Sequence, residues 1–339
     1  MKEIDSEAAS QPQGVGATPE TRPADGSMVI WMVGLTCLWG LNAIGIKAVT
    51  DEMPPLLAVG LRGLVALVLM VPFALWRRER LGFTGWQWVH GLVVGVLFAL
   101  EFALFYVGAQ YTSGGHMVIF INTAPFFVAA GAHLFLPEER LSTMGWLGLT
   151  LAFFGIVAVF SDDLLILKSG FWRGDLLVIL AAMGWGMTTL YMKRFMVRSM
   201  TGFHMLYAQI LVSTPLLLGM SFATESFAAG FFAAGSFGPE SLSFGTFPAD
   251  GFAGFTALGL GIVLFQAVVV VVFSYMAWMT LLRVYPASAM QSFTFLTPVW
   301  GVLLGAILLG ETITVPGVAG LAMVGAGLVL ISRPRPGPS

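Results

Sequence analysis

Trp39-Gly40-Leu41-Asn42-Ala43-Ile44-Gly45-Ile46-Lys47 is answered by Trp185-Gly186-Met187-Thr188-Thr189-Leu190-Tyr191-Met192-Lys193, with a lysine seven residues after the Trp-Gly pair in both stretches. Downstream, Pro125 precedes Glu138 by thirteen positions, and Pro298 precedes Glu311 by the same thirteen. One unit is written twice along the chain. Each copy is a train of apolar stretches, and a duplicated membrane-spanning unit is the usual construction of a secondary transporter.

Composition identifies the solvent of those stretches. Of 339 residues, 57% are hydrophobic and 10% are charged, against roughly 25% charged in a soluble domain. Apolar runs of about 20 residues predict ten transmembrane helices at 28–47, 55–76, 86–108, 116–136, 143–161, 174–193, 203–221, 261–282, 287–309 and 315–332, five in each copy. The expected fold is therefore an all-α integral membrane protein, with one five-helix repeat over 28–161 and a second over 174–332. Residues 1–27, polar and rich in Pro and Ser, read as a disordered cytoplasmic tail without a signal-peptide pattern, and 333–339 as a second tail. Cys37 is the lone cysteine, so it reads as a packing residue rather than half of an intrachain disulfide.

Lys and Arg accumulate on the cytoplasmic side of short loops. With the N-terminus inside, inner positions hold Lys2, Arg22, Arg77, Arg78, Arg80, Arg140, Lys193, Arg194, Arg198, Arg283, Arg333 and Arg335. Outer positions hold Lys47, Lys168 and Arg173. Both termini are thus expected in the cytoplasm. Five spans per copy is an odd number, so the second copy enters the membrane upside down and the repeat is inverted. The extra length of the second copy falls at about 222–260, a Phe/Gly/Ala/Ser stretch read as a long outer loop that either lies on the lipid surface or has no part in transport.

These residues carry a resemblance. "WGLNAIGIK", "PPLLAVGLRGLVALVLMVPFAL", "AQYTSGGHMVIFINTAPFFVAAGAHLFLPEERLS" and "FLTPVWGVLLGAILLGETIT", in their order, doubling and spacing over nearly all of 28–332, resemble the EamA-like branch of the drug/metabolite transporter superfamily. The resemblance implies a ten-helix carrier of the bacterial-type inner membrane in two inverted five-helix halves. It further implies export of amino acids or related small metabolites by alternating access, with multidrug or toxic-compound efflux as the alternative. Neutral Ala208-Gln209 stands where the first copy has Arg62, and Glu101 matches no family rule.

An ionised group at mid-helix costs roughly 2.5–3.5 kcal/mol on insertion scales, so polar residues at depth mark the candidate site. At 1.5 Å per residue, Arg62 and Glu101 lie about 21 and 22 Å from the inner ends of their helices, and Asn42 and Asn122 about 21 Å. One layer gathers a cation, an anion and two amides. Inversion puts Thr188, Gln209 and Ser274 at matching depths in the other half, with Phe295 replacing Asn122. Trp39, Phe105, Tyr106, Trp185, Tyr275 and Phe295 are the aromatic surface on which a substrate body would rest, or else packing residues. Arg62 and Glu101 either hold the charges of a small-molecule substrate such as a zwitterion, or neutralise one another as a buried pair. Glu101 is also the candidate for proton coupling, whereas His90, His116, His133 and His204 lie near predicted helix ends and read as interfacial. Pro125 and Pro298 each free a carbonyl one turn earlier, at Ile121 and Thr294, and are candidate hinges. Glu138 and Glu311 read as turn residues, Ser142 and Thr314 as caps of the following helices. Gly91–Gly95 and Gly301–Gly305 have the spacing of close helix contacts.

Neither metal nor cofactor is expected, and nothing points to nucleic acid. His-Glu-x-x-His, Gly-x-Ser-x-Gly, Cys/His clusters and phosphate-cradling loops are absent from the sequence, which argues against an intramembrane enzyme. One charged layer in place of a continuous polar stripe argues against a channel.

Overall fold

Backbone amides in lipid have no water to bind, so a chain this apolar must satisfy them within each segment. The computed structural model describes residues 21–50, 53–164, 171–226, 256–310 and 312–332, and among them every regular element is helical. The long helices are α1 (Gly26–Thr50), α2 (Pro55–Arg77), α3 (Gln87–Ala109), α4 (Gly114–Phe135), α5 (Thr143–Val159), α6 (Phe171–Met196), α7 (Gly202–Thr224), α8 (Ala257–Leu282), α9 (Ala287–Leu309) and α10 (Val315–Ile331). The predicted spans coincide with them to within about a turn. The tail before residue 21, loop residues 227–255, Lys168, Glu311 and the tail from 333 lie outside the described residues, so expectations placed there are not addressed.

Eight of these helices are long and apolar enough to cross a membrane, whereas α5 and α10 have 17 residues each. At 1.5 Å per residue that is about 26 Å, slightly less than a hydrocarbon core of about 30 Å. Ser142 and Thr314 cap them as expected, accepting from the amides of Gly145 and Gly317 at 3.1 and 3.2 Å.

α5 packs along α10, α1 along α9, and α4 along α6. α3 contacts α6 and α7, and α2 contacts α7 and α8. Glycines set close approach, one pair of those with the four-residue spacing among them. A Cβ at Gly148 would stand 2.5 Å from the Gly327 carbonyl, and one at Gly155 2.7 Å from that of Gly320. Gly148 facing Gly327 while Gly155 faces Gly320 makes α5 and α10 antiparallel, backbone on backbone. Gly91 and Gly95 do abut α7, but a Cβ at Gly301 would meet nothing within 4 Å.

Both prolines mark interruptions. α4 consists of Gly114–Ile121 and Ala124–Phe135, and α9 of Ala287–Phe293 and Leu296–Leu309. Polar side chains add hydrogen bonds at each break, and the Thr294 carbonyl, expected to be freed by Pro298, accepts from the Thr297 amide at 2.9 Å. Asn122 Nδ2 donates to Val118 O at 2.7 Å and Thr123 Oγ1 to Phe120 O at 2.6 Å, while Thr294 Oγ1 donates to Gln291 O at 2.7 Å. Wider turns also occur: α6 ends in a π-helical segment, Met192–Met196, and Gln266–Tyr275 of α8 is π-helical between two α-helical ends. Such segments are rare and concentrate at functional sites.

At the end of the bundle where α6 and α8 stop, a buried ionic knot joins four elements, α6, α8, α9 and the turn after α4. Lys193 Nζ lies 3.2 Å from Glu139 Oε1, both side chains being 4% exposed. The same ammonium donates to the carbonyls of Leu282 and Tyr285 at 2.6 and 2.8 Å. Glu139 Oε2 accepts from the Ala287 amide at 2.7 Å, and Ser288 Oγ donates to the Glu139 carbonyl at 3.0 Å. Glu139, beside the expected turn residue Glu138, is the one that Lys193 reaches. Around the knot packs a methionine-rich core including Met28, Met192, Met196, Met279 and Met290, side chains that repack readily.

Burial pushes the Glu139 carboxyl above its ordinary value, the Lys193 ammonium opposing this only in part. A raised carboxyl holds its proton more tightly folded than unfolded, so stability falls as pH rises from the ordinary carboxylate value through the raised one. Lys193→Met removes the opposing charge. Breaking a buried pair costs about 3–5 kcal/mol, and we expect the full cost only at alkaline pH, where Glu139 is an unpaired anion. Melting in detergent at about pH 8 and about pH 5 checks this; an equal loss at both would contradict it. Gly155→Ala should cost about 1–3 kcal/mol by overpacking, and Gly301→Ala should be neutral or stabilising by up to about 1 kcal/mol, read in the same melts.

Candidate functional site

Between the helices lies a cavity of about 240 Å³. α1 contributes Trp39 and Asn42, α2 Arg62, α3 Glu101, α4 Asn122, α6 Trp185 and Thr188, α7 Gln209 and α8 Tyr275. The four polar residues expected at one level and two of their counterparts in the second copy, Thr188 and Gln209, thus converge on one space. Ser274 does not line it. Its hydroxyl accepts from Trp39 Nε1 at 2.9 Å and so fixes the indole from behind. Tyr106 is also off the cavity, packed with Leu56, Val59, Ala99 and Leu217, and Phe295 is fully buried in the core. Pro125 and Pro298 sit beside it, behind Asn122, Thr294 and Thr297.

Arg62 is 2% and Glu101 9% exposed, yet among the described residues no ion pair joins them. The direct buried pair is therefore not what compensates these charges. The Arg62 guanidinium carbon stands 5.0 Å from the centre of the Phe102 ring, a cation–π contact that is favourable where water is excluded. Tyr275 lies within electrostatic reach of both charges.

Aromatic rings form one wall. Trp39 meets Trp278 at 5.5 Å and Tyr275 edge-on at 6.2 Å; Phe98 meets Tyr275 at 6.4 Å and Phe102 at 4.5 Å. Phe98, Trp278, Thr294 and Thr297 escaped the sequence reading. Phe98, Phe102 and Phe105 recur at helical spacing around Glu101, a periodicity that could have found that face.

The cavity also holds polar atoms without partners. Asn42 Oδ1, Glu101 Oε2, Gln209 Oε1 and Thr297 Oγ1 are buried and make no hydrogen bond. A buried acceptor left unsatisfied costs about 1–3 kcal/mol, and one cavity carries four. Such a surface suits a ligand that brings donors, above all an ammonium for Glu101.

Three of the histidines have polar partners. His90 Nδ1 pairs with the Tyr191 hydroxyl at 2.9 Å, and His204 lies 3.8 Å from Glu79. His116, at the start of α4, is buried at 3% exposure against Asp175 of α6.

The EamA-like transporter family model matches the chain twice, over residues 26–161 and 172–333. The chain is 27% identical over 319 residues to the uncharacterized transporter YvbV of Bacillus subtilis (strain 168), covering 93% of this chain and 92% of that protein. It is 26% identical over 309 residues to a protein of Salmonella typhimurium (strain LT2) named a probable amino-acid metabolite efflux pump, covering 90% and 94%. A solved crystal structure superposes with a TM-score of 0.71 at 15% identity, over 91% of this chain and 98% of the other, a likeness of fold alone. This chain is a multi-pass membrane protein and belongs to the EamA-like transporter family.

Proposed function

We propose that this transporter is a ten-span, inverted-repeat carrier of the bacterial-type inner membrane, with both termini cytoplasmic, that exports amino acids or related zwitterionic metabolites by alternating access. One observation carries the substrate class. Arg62 and Glu101 line one cavity without pairing to each other, beside an aromatic wall and four unpartnered polar atoms. A zwitterion supplies what each side lacks, a carboxylate to Arg62 and an ammonium to Glu101. A proton competes with that ammonium for the same carboxylate, which is how Glu101 would couple export to a pH gradient.

The inverted arrangement is supported by how helices pair. Exchanging α1–α5 with α6–α10 turns α1·α9 into α6·α4 and α3·α7 into α8·α2, all of them contacts present here. Gly148–Gly327 and Gly155–Gly320 likewise exchange into one another. The Lys193–Glu139 knot supports a closed inner end. Breaks before Pro125 and Pro298, on helices that both reach the cavity, are where opening would bend the bundle.

The cavity volume bears on the alternative of multidrug efflux. Sites for drug-sized ligands measure about 300–1,000 Å³, more than this one offers, which favours a small metabolite.

Charge-assisted hydrogen bonds are worth about 1.5–3 kcal/mol, hence Glu101→Gln and Arg62→Gln should each slow counterflow of labelled amino acids in proteoliposomes about 10–100-fold. Both variants should still fold, as judged by melting. Wild-type counterflow in a well-folded Glu101→Gln protein would remove the reading.

A further inference from the structure

Apart from the cavity, one buried cluster of titratable side chains is unexplained by transport through it. His116, near the start of α4, directs Nδ1 at Asp175 of α6, 3.0 Å from Oδ1 and 3.1 Å from Oδ2. Thr112 Oγ1 donates to the same carboxylate at 2.5 Å. An ionised Asp175 accepts only, so Nδ1 carries the hydrogen and the lone pair is on Nε2. That Nε2 is buried and has no hydrogen-bond partner. Phe120 and Phe171 enclose the ring at 5.8 and 5.4 Å.

Surrounding charge favours a cation here. The one-turn helix Ser161–Leu164 carries Asp162 and Asp163, and Asp163 lies against Gly115, the residue before His116. α6 adds Asp175 and Arg173, the latter exposed with its guanidinium 5.5 Å from the Trp172 ring. The end of α3 and its turn bring the phenols of Tyr106 and Tyr111, with Glu101 and His90 further along the same helix, and α5 carries no titratable group. A neutral imidazole beside an ionised carboxylate leaves a net negative charge in a low-dielectric setting, and one proton on the ring cancels it. The Asp175 side chain is 16% exposed, so the site reaches the surface near the start of α6.

We propose that His116 and Asp175 form a proton-binding site at the outer end of the bundle, distinct from Glu101 and the substrate cavity. A proton from the external phase adds to the Nε2 lone pair, while Nδ1–H stays on Asp175; release reverses the step, and no other bond changes. The site ties the first segment of α4 to α6. That segment, Gly114–Ile121, ends beside the cavity at Ile121 and Asn122, so loading the outer site holds the outer end of α4 closed onto α6. The coupling role rests on the transport reading above; the proton site itself does not.

Proteoliposomes of wild type, His116→Gln and Asp175→Asn test the coupling. Wild-type amino-acid uptake should be stimulated several-fold by an imposed pH gradient, and both variants should lose that stimulation while keeping counterflow, unlike Glu101→Gln, which loses counterflow itself. Gradient stimulation retained in both variants, or absent from a wild type that performs counterflow, overturns the proposal and leaves the transport reading standing. Nitrogen NMR of 15N-histidine-labelled full chain in detergent needs no substrate. One histidine, identified by its loss in His116→Gln, should pass from one protonated ring nitrogen to two on acidification. If wild type shows no amino-acid transport, that signal alone upholds the site; a His116 fixed in one protonation state refutes it.

Discussion

Ionised side chains are expensive inside a hydrocarbon layer, about 2.5–3.5 kcal/mol each on insertion scales, and how each is compensated organises the interior of this protein. Lys193 and Glu139 have a full set of hydrogen-bond partners. Every strong donor and acceptor of that pair meets a carboxylate, a carbonyl or an amide. Arg62 and Glu101 are compensated only in part, by the Phe102 ring and the neighbourhood of Tyr275, and Glu101 keeps an oxygen without a donor. A finished pair fastens helices together; an unfinished one leaves interaction free energy for a ligand to realise.

The remaining architecture serves that contrast. Glycines on α5 and α10 bring two short helices into backbone contact away from the cavity, where rigid packing is tolerable. Around the cavity, by contrast, α4 and α9 are broken and α8 is wound more widely through Tyr275. Irregular backbone at membrane depth persists where it is buried in protein or lines a cavity. Irregular backbone is thus gathered around the cavity.

Much of this was legible in the chain. Apolar runs located the helices to within a turn, because span length is fixed by the bilayer rather than by tertiary packing. Counting rise per residue brought Asn42, Arg62, Glu101 and Asn122 to one level, and all four line one cavity. What depth cannot supply is azimuth. One step along a helix turns a side chain by about 100°, enough to put Phe105 on the cavity and Tyr106 behind it, or Tyr275 on it and Ser274 against Trp39. Neighbouring Glu138 and Glu139 are chemically identical, and only the fold says which one Lys193 reaches. The partner of His116 was hidden for a related reason: Asp175 lies fifty-nine residues away, on a helix that only the fold brings alongside.

Which charges of the substrate the cavity holds can be tested most directly with analogues in counterflow. Proteoliposomes preloaded with a transported amino acid are challenged with that amino acid, its methyl ester and its N-acetyl derivative. If Arg62 holds a carboxylate and Glu101 an ammonium, only the intact zwitterion exchanges and each blocked analogue loses at least about tenfold, the equivalent of about 1.4 kcal/mol. Equal exchange of all three would show that the two charges take no part in recognition.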